Sequence, residues 1–183
     1  MREPVYYSGS AEFFDTHAHI YDRKYADCNT SVEDILQRCR ASGVTSMLIP
    51  ADSEETSRLA IELAVKYDGF EGMKLYSSCG VHPHEAKTYT EDTEKYLREC
   101  LEHREEKKIR ALGEIGLDYY YDLSERSVQR EVFEKQLILA KEYDVPIFQS
   151  EKSTSDFMGE VIRWLKVELA PRISIHGVLV DVY

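Results

Sequence analysis

The chain has 183 residues, of which 43% are hydrophobic and 31% charged, and it carries a formal net charge of −11. That length supports one domain with a sizeable core, no apolar run approaches the roughly 20 residues that span a bilayer, and the acidic balance argues against a passive nucleic-acid binder with a basic face. An enzyme acting on phosphates stays open, because bound cations supply local positive charge.

The first ten residues are polar and lack the apolar centre of a signal peptide, so a cytoplasmic location with no membrane partner is expected. Cys28, Cys39, Cys79 and Cys100 form no Cys-x-x-Cys pair. A structural zinc site is therefore not expected, and buried free thiols are.

A pattern recurs along the chain: an apolar run, a polar turn, then a helical stretch. Strands are expected over 13–20, 46–51, 74–83, 109–118, 145–150 and 172–176. Helices are expected between them. One runs from about 31 to 41 with Val32, Ile35, Leu36 and Cys39 on one side, and Gly43 as its stop. The next covers 54–67, with Leu59, Ala60, Leu63 and Ala64 inward, and a weaker one covers 91–103. The strongest covers 124–143, with Ser124 as its cap and Val128, Phe133, Leu137 and Ala140 near one face. Pro146 then prevents continuation and opens the fifth strand.

Alternating strands and helices at this spacing mean βαβ units and a parallel sheet. Polar residues fall at the ends of at least four strands, which favours a barrel over a doubly wound sheet. The fold class is thus α/β, a TIM-type (β/α) barrel with about six of its eight βα units. Residues 1–183 are read as one incomplete domain.

Four constellations carry chemistry. In Asp15-Thr16-His17-Ala18-His19, the two histidines stand at i and i+2 on an expected strand, so they share a face and can chelate one cation. Asp15 shares that face and is placed to orient an imidazole. In Gly80-Val81-His82-Pro83-His84, a strand ends in two histidines suited to a metal or to a substrate phosphate; incidental histidines on a surface turn are the plainer reading. In Gly113-Glu114-Ile115-Gly116-Leu117-Asp118, an isolated Glu in an apolar run needs a partner when buried. A metal ion, or a Lys or Arg, would serve. Asp118 shares the strand parity of Glu114 and is placed to contact water or substrate. Finally, His176 ends an apolar run near the C-terminus.

Together these motifs resemble the TatD family of metal-dependent hydrolases, which includes deoxyribonucleases. The matching text is Asp15-Thr16-His17-Ala18-His19, Gly80-Val81-His82-Pro83-His84, Gly113-Glu114-Ile115-Gly116-Leu117-Asp118-Tyr119, and the helix from Gln129 to Lys141 followed by Pro146, in family order. The resemblance implies an amidohydrolase-type barrel with one or two divalent ions (Mg, Mn or Zn) and DNA or another phosphodiester as substrate. It implies that His17 and His19 bind one ion, that Glu114 bridges both, and that His82 lies near the substrate phosphate. A strand-six histidine, matched by His176, would serve the second ion. Three departures follow. Ser150 stands where the family has its strand-five histidine, and Lys152 where it has an arginine. Gly177-Val178-Leu179 replaces the expected continuation after His176, and strands seven and eight, with their Asp, are expected to be absent.

Glu114 and Asp118 are the candidate catalytic residues, His82 the substrate contact, and His17, His19, Glu114 and His176 the metal ligands. Three functions are weighed: a metal-dependent nuclease, a metal-dependent ester or amide hydrolase of the same barrel type, and a degenerate relative acting as a binding protein.

Overall fold

A computed structural model describes residues 12–152 of the chain. Five strands form one sheet: β1 (Phe13–Asp15), β2 (Val44–Ile49), β3 (Lys74–Cys79), β4 (Ile109–Asp118) and β5 (Ile147–Lys152). Every pairing is parallel, and the spatial order is the chain order. Helices α1 (Arg23–Asp27) and α2 (Val32–Ala41) follow β1, α3 (Glu54–Tyr67) follows β2, α4 (Glu91–Glu102) follows β3, and α5 (Arg126–Tyr143) follows β4. A doubly wound sheet would reverse strand order at a switch point. No reversal occurs among the described residues, so these are five successive strands of a TIM-type barrel wall. The sixth expected strand, with His176, lies outside the described residues.

Local chemistry accounts for the element boundaries. Ser31 caps α2 in a reciprocal box with Asp34, and Ser53 caps α3 with Thr56, so each satisfies helix-start amides that have no partner within the helix. Gly43, at φ 89°, turns the chain from α2 into β2, as expected from its place after the last helical residue. Ser124 does not cap α5. Its hydroxyl donates instead to the His84 carbonyl (2.9 Å) and accepts from the Lys87 amide (3.2 Å), and α5 starts after Glu125 with no side-chain cap bond. On α3 the buried stripe is Ser57, Ala60, Ala64 and Tyr67, at steps of three and four. That stripe turns Leu59 outward to 40% exposure, against the expected inward position.

The helices pack on the outside of the sheet. Ile35 and Leu36 of α2, with Ala60 and Ala64 of α3, bury Met47, Ile49 and Leu75 of β2 and β3. Leu97, Cys100 and Leu101 of α4, with Leu139 and Ala140 of α5, bury Cys79, Ile109 and Leu112. Each fully buried Leu or Ile contributes about 1.5–3 kcal/mol. Close approach constrains the other side. A Cβ on Gly113 would lie 2.2 Å from the Phe148 carbonyl oxygen, and one on Gly80 would lie 2.9 Å from the Gly113 nitrogen. Only glycine lets the middle of β4 come this close to the end of β3 and the start of β5.

Two buried glutamines of α5 hold the ends of β3 and β4. Gln136 accepts from the Val81 amide (2.8 Å) and donates to the Val81 carbonyl (3.0 Å). Gln129 accepts from the Asp118 amide (2.8 Å) and donates to the Asp118 and Ser124 carbonyls (3.1 and 2.8 Å). Replacing Gln136 by Leu leaves both Val81 groups buried without partners, at a cost of about 1–3 kcal/mol. A lower denaturant midpoint is expected for Gln136→Leu; an unchanged midpoint would refute this role.

Candidate metal centre

The site forms where the C-terminal ends of the strands meet. Strand β1 stops at Asp15, whose Oδ1 accepts the backbone N–H of His17 at 3.0 Å. This local side-chain bond replaces ladder pairing, so the expected strand to residue 20 is cut short. It also occupies Asp15 with the main chain, where orienting an imidazole was expected. The Ala18 amide still donates to the Leu48 carbonyl (3.2 Å), which keeps the segment beside β2, and Ile20 anchors its far end in the core at 3% exposure. His17 and His19 flank Ala18 and converge on one side.

Glu114, from the middle of β4, meets them. Its amide donates to the Ala51 carbonyl past the end of β2 (2.5 Å). Ser78 ties the same region together: its hydroxyl donates to the Gly113 carbonyl (2.5 Å) and accepts from the Ala51 amide (3.1 Å). The Nε2 atoms of His17 and His19 are 2.9 Å apart. Oε2 of Glu114 lies 3.3 Å from Nε2 of His19 and 3.7 Å from Nε2 of His17. One donor atom from each of the three residues falls within 4.8 Å of the others.

This donor set fits a divalent cation. Donors about 2.0–2.1 Å from one tetrahedral zinc ion stand about 3.3 Å apart, and the three separations here, 2.9, 3.3 and 3.7 Å, lie around that value. Glu114 is 6% exposed, and among the described residues the basic side chains within 4 Å of its carboxylate are the two imidazoles, with no Lys or Arg. A buried carboxylate in that setting is stabilised by a cation. The imidazole and carboxylate donors suit zinc or manganese, and the carboxylate alone suits magnesium.

Beside the cluster, the His19 Nδ1 is 2.8 Å from the Tyr21 hydroxyl, which donates to the Pro50 carbonyl at 2.9 Å. Burial raises the Tyr21 pKa and the negative charge of Asp52 raises it further; the Thr56 hydroxyl opposes the shift and Glu114 adds to it, so the hydroxyl keeps its proton. Neither Tyr21 nor Ser78 was found from sequence. Tyr21 was signalled only by its i+2 spacing from His19, and a serine in a strand carries no signal at all.

The His82-Pro83-His84 turn forms a second polar group. The His82 amide donates to the Asp52 carbonyl (2.8 Å), and His82 Nδ1 accepts from the His84 amide (3.2 Å). Burial lowers the His82 pKa to about 4, with His84 adding to the shift while Glu114, Asp52 and Asp118 oppose it. Asp118, 2% exposed, engages His84: its Oδ2 is 2.6 Å from His84 Nε2, and its Oδ1 accepts the amides of Tyr120 and Tyr121 (2.9 Å each). Tyr121 packs edge-on against His84 at 5.7 Å, and Tyr120 is 76% exposed. The backbone of Ser150 sits on β5 opposite Gly116.

Fold and site together define a TIM-type barrel wall in which imidazole and carboxylate side chains gather where the strand ends meet. The profile described as TatD related DNase matches residues 14–180, and the chain belongs to that family. It is 32% identical over 161 residues to the uncharacterized metal-dependent hydrolase YabD of Bacillus subtilis, covering 88% of this chain and 58% of that one. It is 34% identical over 143 residues to the 3'-5' ssDNA/RNA exonuclease TatD of Musicola paradisiaca, covering 78% of this chain and 51% of that one. The crystal structure of YJJV, a TatD homolog from Escherichia coli K12, superposes with a TM-score of 0.69 at 30% identity, over 82% of this chain and 55% of that one. The chain thus spans little more than half the length of these relatives. A shorter match differs in kind: 53 residues, 29% of this chain, are 74% identical to 17% of the HPr kinase/phosphorylase of Lachnoclostridium phytofermentans.

The His82 shift has a consequence for stability. The unfolded side chain titrates near 6.5, and the folded one near 4. The unfolded state therefore binds the extra proton first, and the contribution of neutral His82 is present above about pH 6.5 and lost as pH falls towards 4. His82→Asn, which retains a side-chain acceptor, is expected to lose less stability between pH 7 and 4.5 than the parent; identical pH slopes of the denaturant midpoint would exclude this.

Proposed function

We propose that this chain belongs to a divalent-metal-dependent hydrolase that cleaves phosphodiester bonds in nucleic acid, with DNA as the substrate class. The observation that carries this reading is the convergence of His17, His19 and Glu114 around a buried carboxylate. The family and the nuclease relatives support the choice of substrate. In this reading His17, His19 and Glu114 hold the first ion, and His176 with Glu114 serves a second. The ion when bound supplies Lewis acidity, polarising a phosphoryl oxygen and acidifying water.

The residues of the chain do the rest. His82 is held neutral, and because its Nδ1 accepts from the His84 amide, its ring hydrogen sits on Nε2. In this reading His82 lies beside the substrate phosphate. Asp118 acts as an orienter rather than a proton acceptor, since both its oxygens already face His84 and the following loop. Exposed Tyr120 offers a face on which a base can stack. A cytoplasmic setting belongs to the same reading; no helix among the described residues is long and apolar enough to cross a membrane. Ester or amide hydrolysis uses the same centre and is separated from phosphodiester cleavage by a substrate panel.

Elemental analysis of protein purified without chelator tests the centre first. The parent chain is expected to retain roughly one or two equivalents of divalent metal, and His17→Ala and Glu114→Gln to retain less. Metal-stimulated hydrolysis of single-stranded DNA is expected to vanish in Glu114→Gln. Equal metal content in all three proteins, or hydrolysis undiminished without Glu114, would refute the proposal.

A further inference from the structure

We infer that Tyr21 is a positioning residue of the metal centre: its hydroxyl locks His19 into the tautomer that leaves Nε2 unprotonated and directed at Glu114 and His17. This rests on the metal reading above and adds a residue that lies outside the donor set.

A proton count on three atoms carries it. A tyrosine hydroxyl has one hydrogen and can also accept. The Pro50 carbonyl can only accept, and it lies 2.9 Å from the Tyr21 oxygen, so it takes that hydrogen. The second contact of the same oxygen is with His19 Nδ1 at 2.8 Å, and there Tyr21 has only a lone pair to offer. Nδ1 must therefore carry the imidazole hydrogen. A neutral imidazole has one N–H, which leaves a lone pair on Nε2. That Nε2 is the atom 2.9 Å from His17 Nε2 and 3.3 Å from Glu114 Oε2.

The lock runs into the frame of the fold. Pro50 follows the last residue of β2, and the next residue, Ala51, accepts the Glu114 amide. One short segment thus sets both the tautomer of His19 and the height of Glu114 on β4. Packing keeps the ring in place, since the His19 and Tyr21 rings meet edge to face at 5.5 Å. A free histidine side chain favours the opposite tautomer, with hydrogen on Nε2, in which this atom cannot ligate. Tyr21 removes that competition before any ion arrives. Partners of this kind on a ligating histidine typically change metal affinity by about 10–100-fold.

The test uses metal-free, nitrogen-15-labelled protein. Long-range proton–nitrogen correlation spectra report which imidazole nitrogen of His19 bears the hydrogen, with assignment from the signals lost in His19→Gln. The parent is expected to show protonated Nδ1 and bare Nε2. Tyr21→Phe is expected to shift towards protonated Nε2 and to bind zinc ion about 10–100-fold more weakly, with a melting temperature close to the parent's. A merely structural role would lower the melting temperature without moving the tautomer. Protonated Nε2 in the parent overturns the inference with no variant needed, so a variant that fails to fold does not protect it. A tautomer shift with unchanged zinc affinity overturns the positioning role. Protonated Nδ1 in a parent that binds no zinc upholds the lock and overturns the metal reading instead.

Discussion

Taking the carboxylate of Glu114 out of water costs free energy unless a cation or hydrogen-bond donors face it. That cost organises the site. Glu114 sits in the middle of a strand whose other residues between Ala111 and Asp118 are all buried. Among the described residues, the basic side chains within 4 Å of it are two imidazoles, brought there from the segment after β1. The parallel order β1-β2-β3-β4-β5 makes this meeting possible, since it sets all the strand C-terminal ends on one side. Residues about a hundred positions apart in sequence then share one cluster.

Polar side chains buried between sheet and helix keep the strand ends in register. Gln136 and Gln129 of α5 pair with the main chain at Val81 and Asp118, and Ser78 spans from Ala51 to Gly113. Each joins two elements that the hydrophobic core alone would leave free to slide, because apolar packing has no direction. The glycines at 80 and 113 permit the close approach, and the hydrogen bonds then hold it. Asp118 has a related part, fastening the His84 ring and the start of the loop after β4 to one carboxylate. The metal cluster and the His82–His84 turn are therefore two products of one frame.

The match to the TatD family spans residues 14–180 and so takes in all of this frame. From the resemblance read in the sequence, departures from the family pattern are expected at Ser150, Lys152 and Gly177-Val178-Leu179. The chain also contains a 53-residue stretch 74% identical to part of an HPr kinase/phosphorylase. The proposed first-ion donors His17, His19 and Glu114 precede all of these positions. The donors of a second ion would draw on the region that contains them.

The sequence by itself determined the parallel α/β class, the order of strands and helices, and the residue types of the centre. Periodicity exposes a buried stripe, and a lone Glu between glycines in an apolar run stands out without any coordinates. Strand β4 and helix α3 have the expected bounds, and His17, His19 and Glu114 do gather in one place. Tertiary structure alone decided how those residues are held. Asp15 bonds the main chain rather than an imidazole, Ser124 serves the His84 turn rather than the start of α5, and Leu59 turns outward. Tyr21, Ser78 and the two glutamines became visible only once their partners, 27 to 55 residues away except for Gln129, were in place. The reason is physical: apolar spacing records which face is buried, whereas a hydrogen bond depends on the direction and distance of one atom in another element, and local sequence carries no record of either.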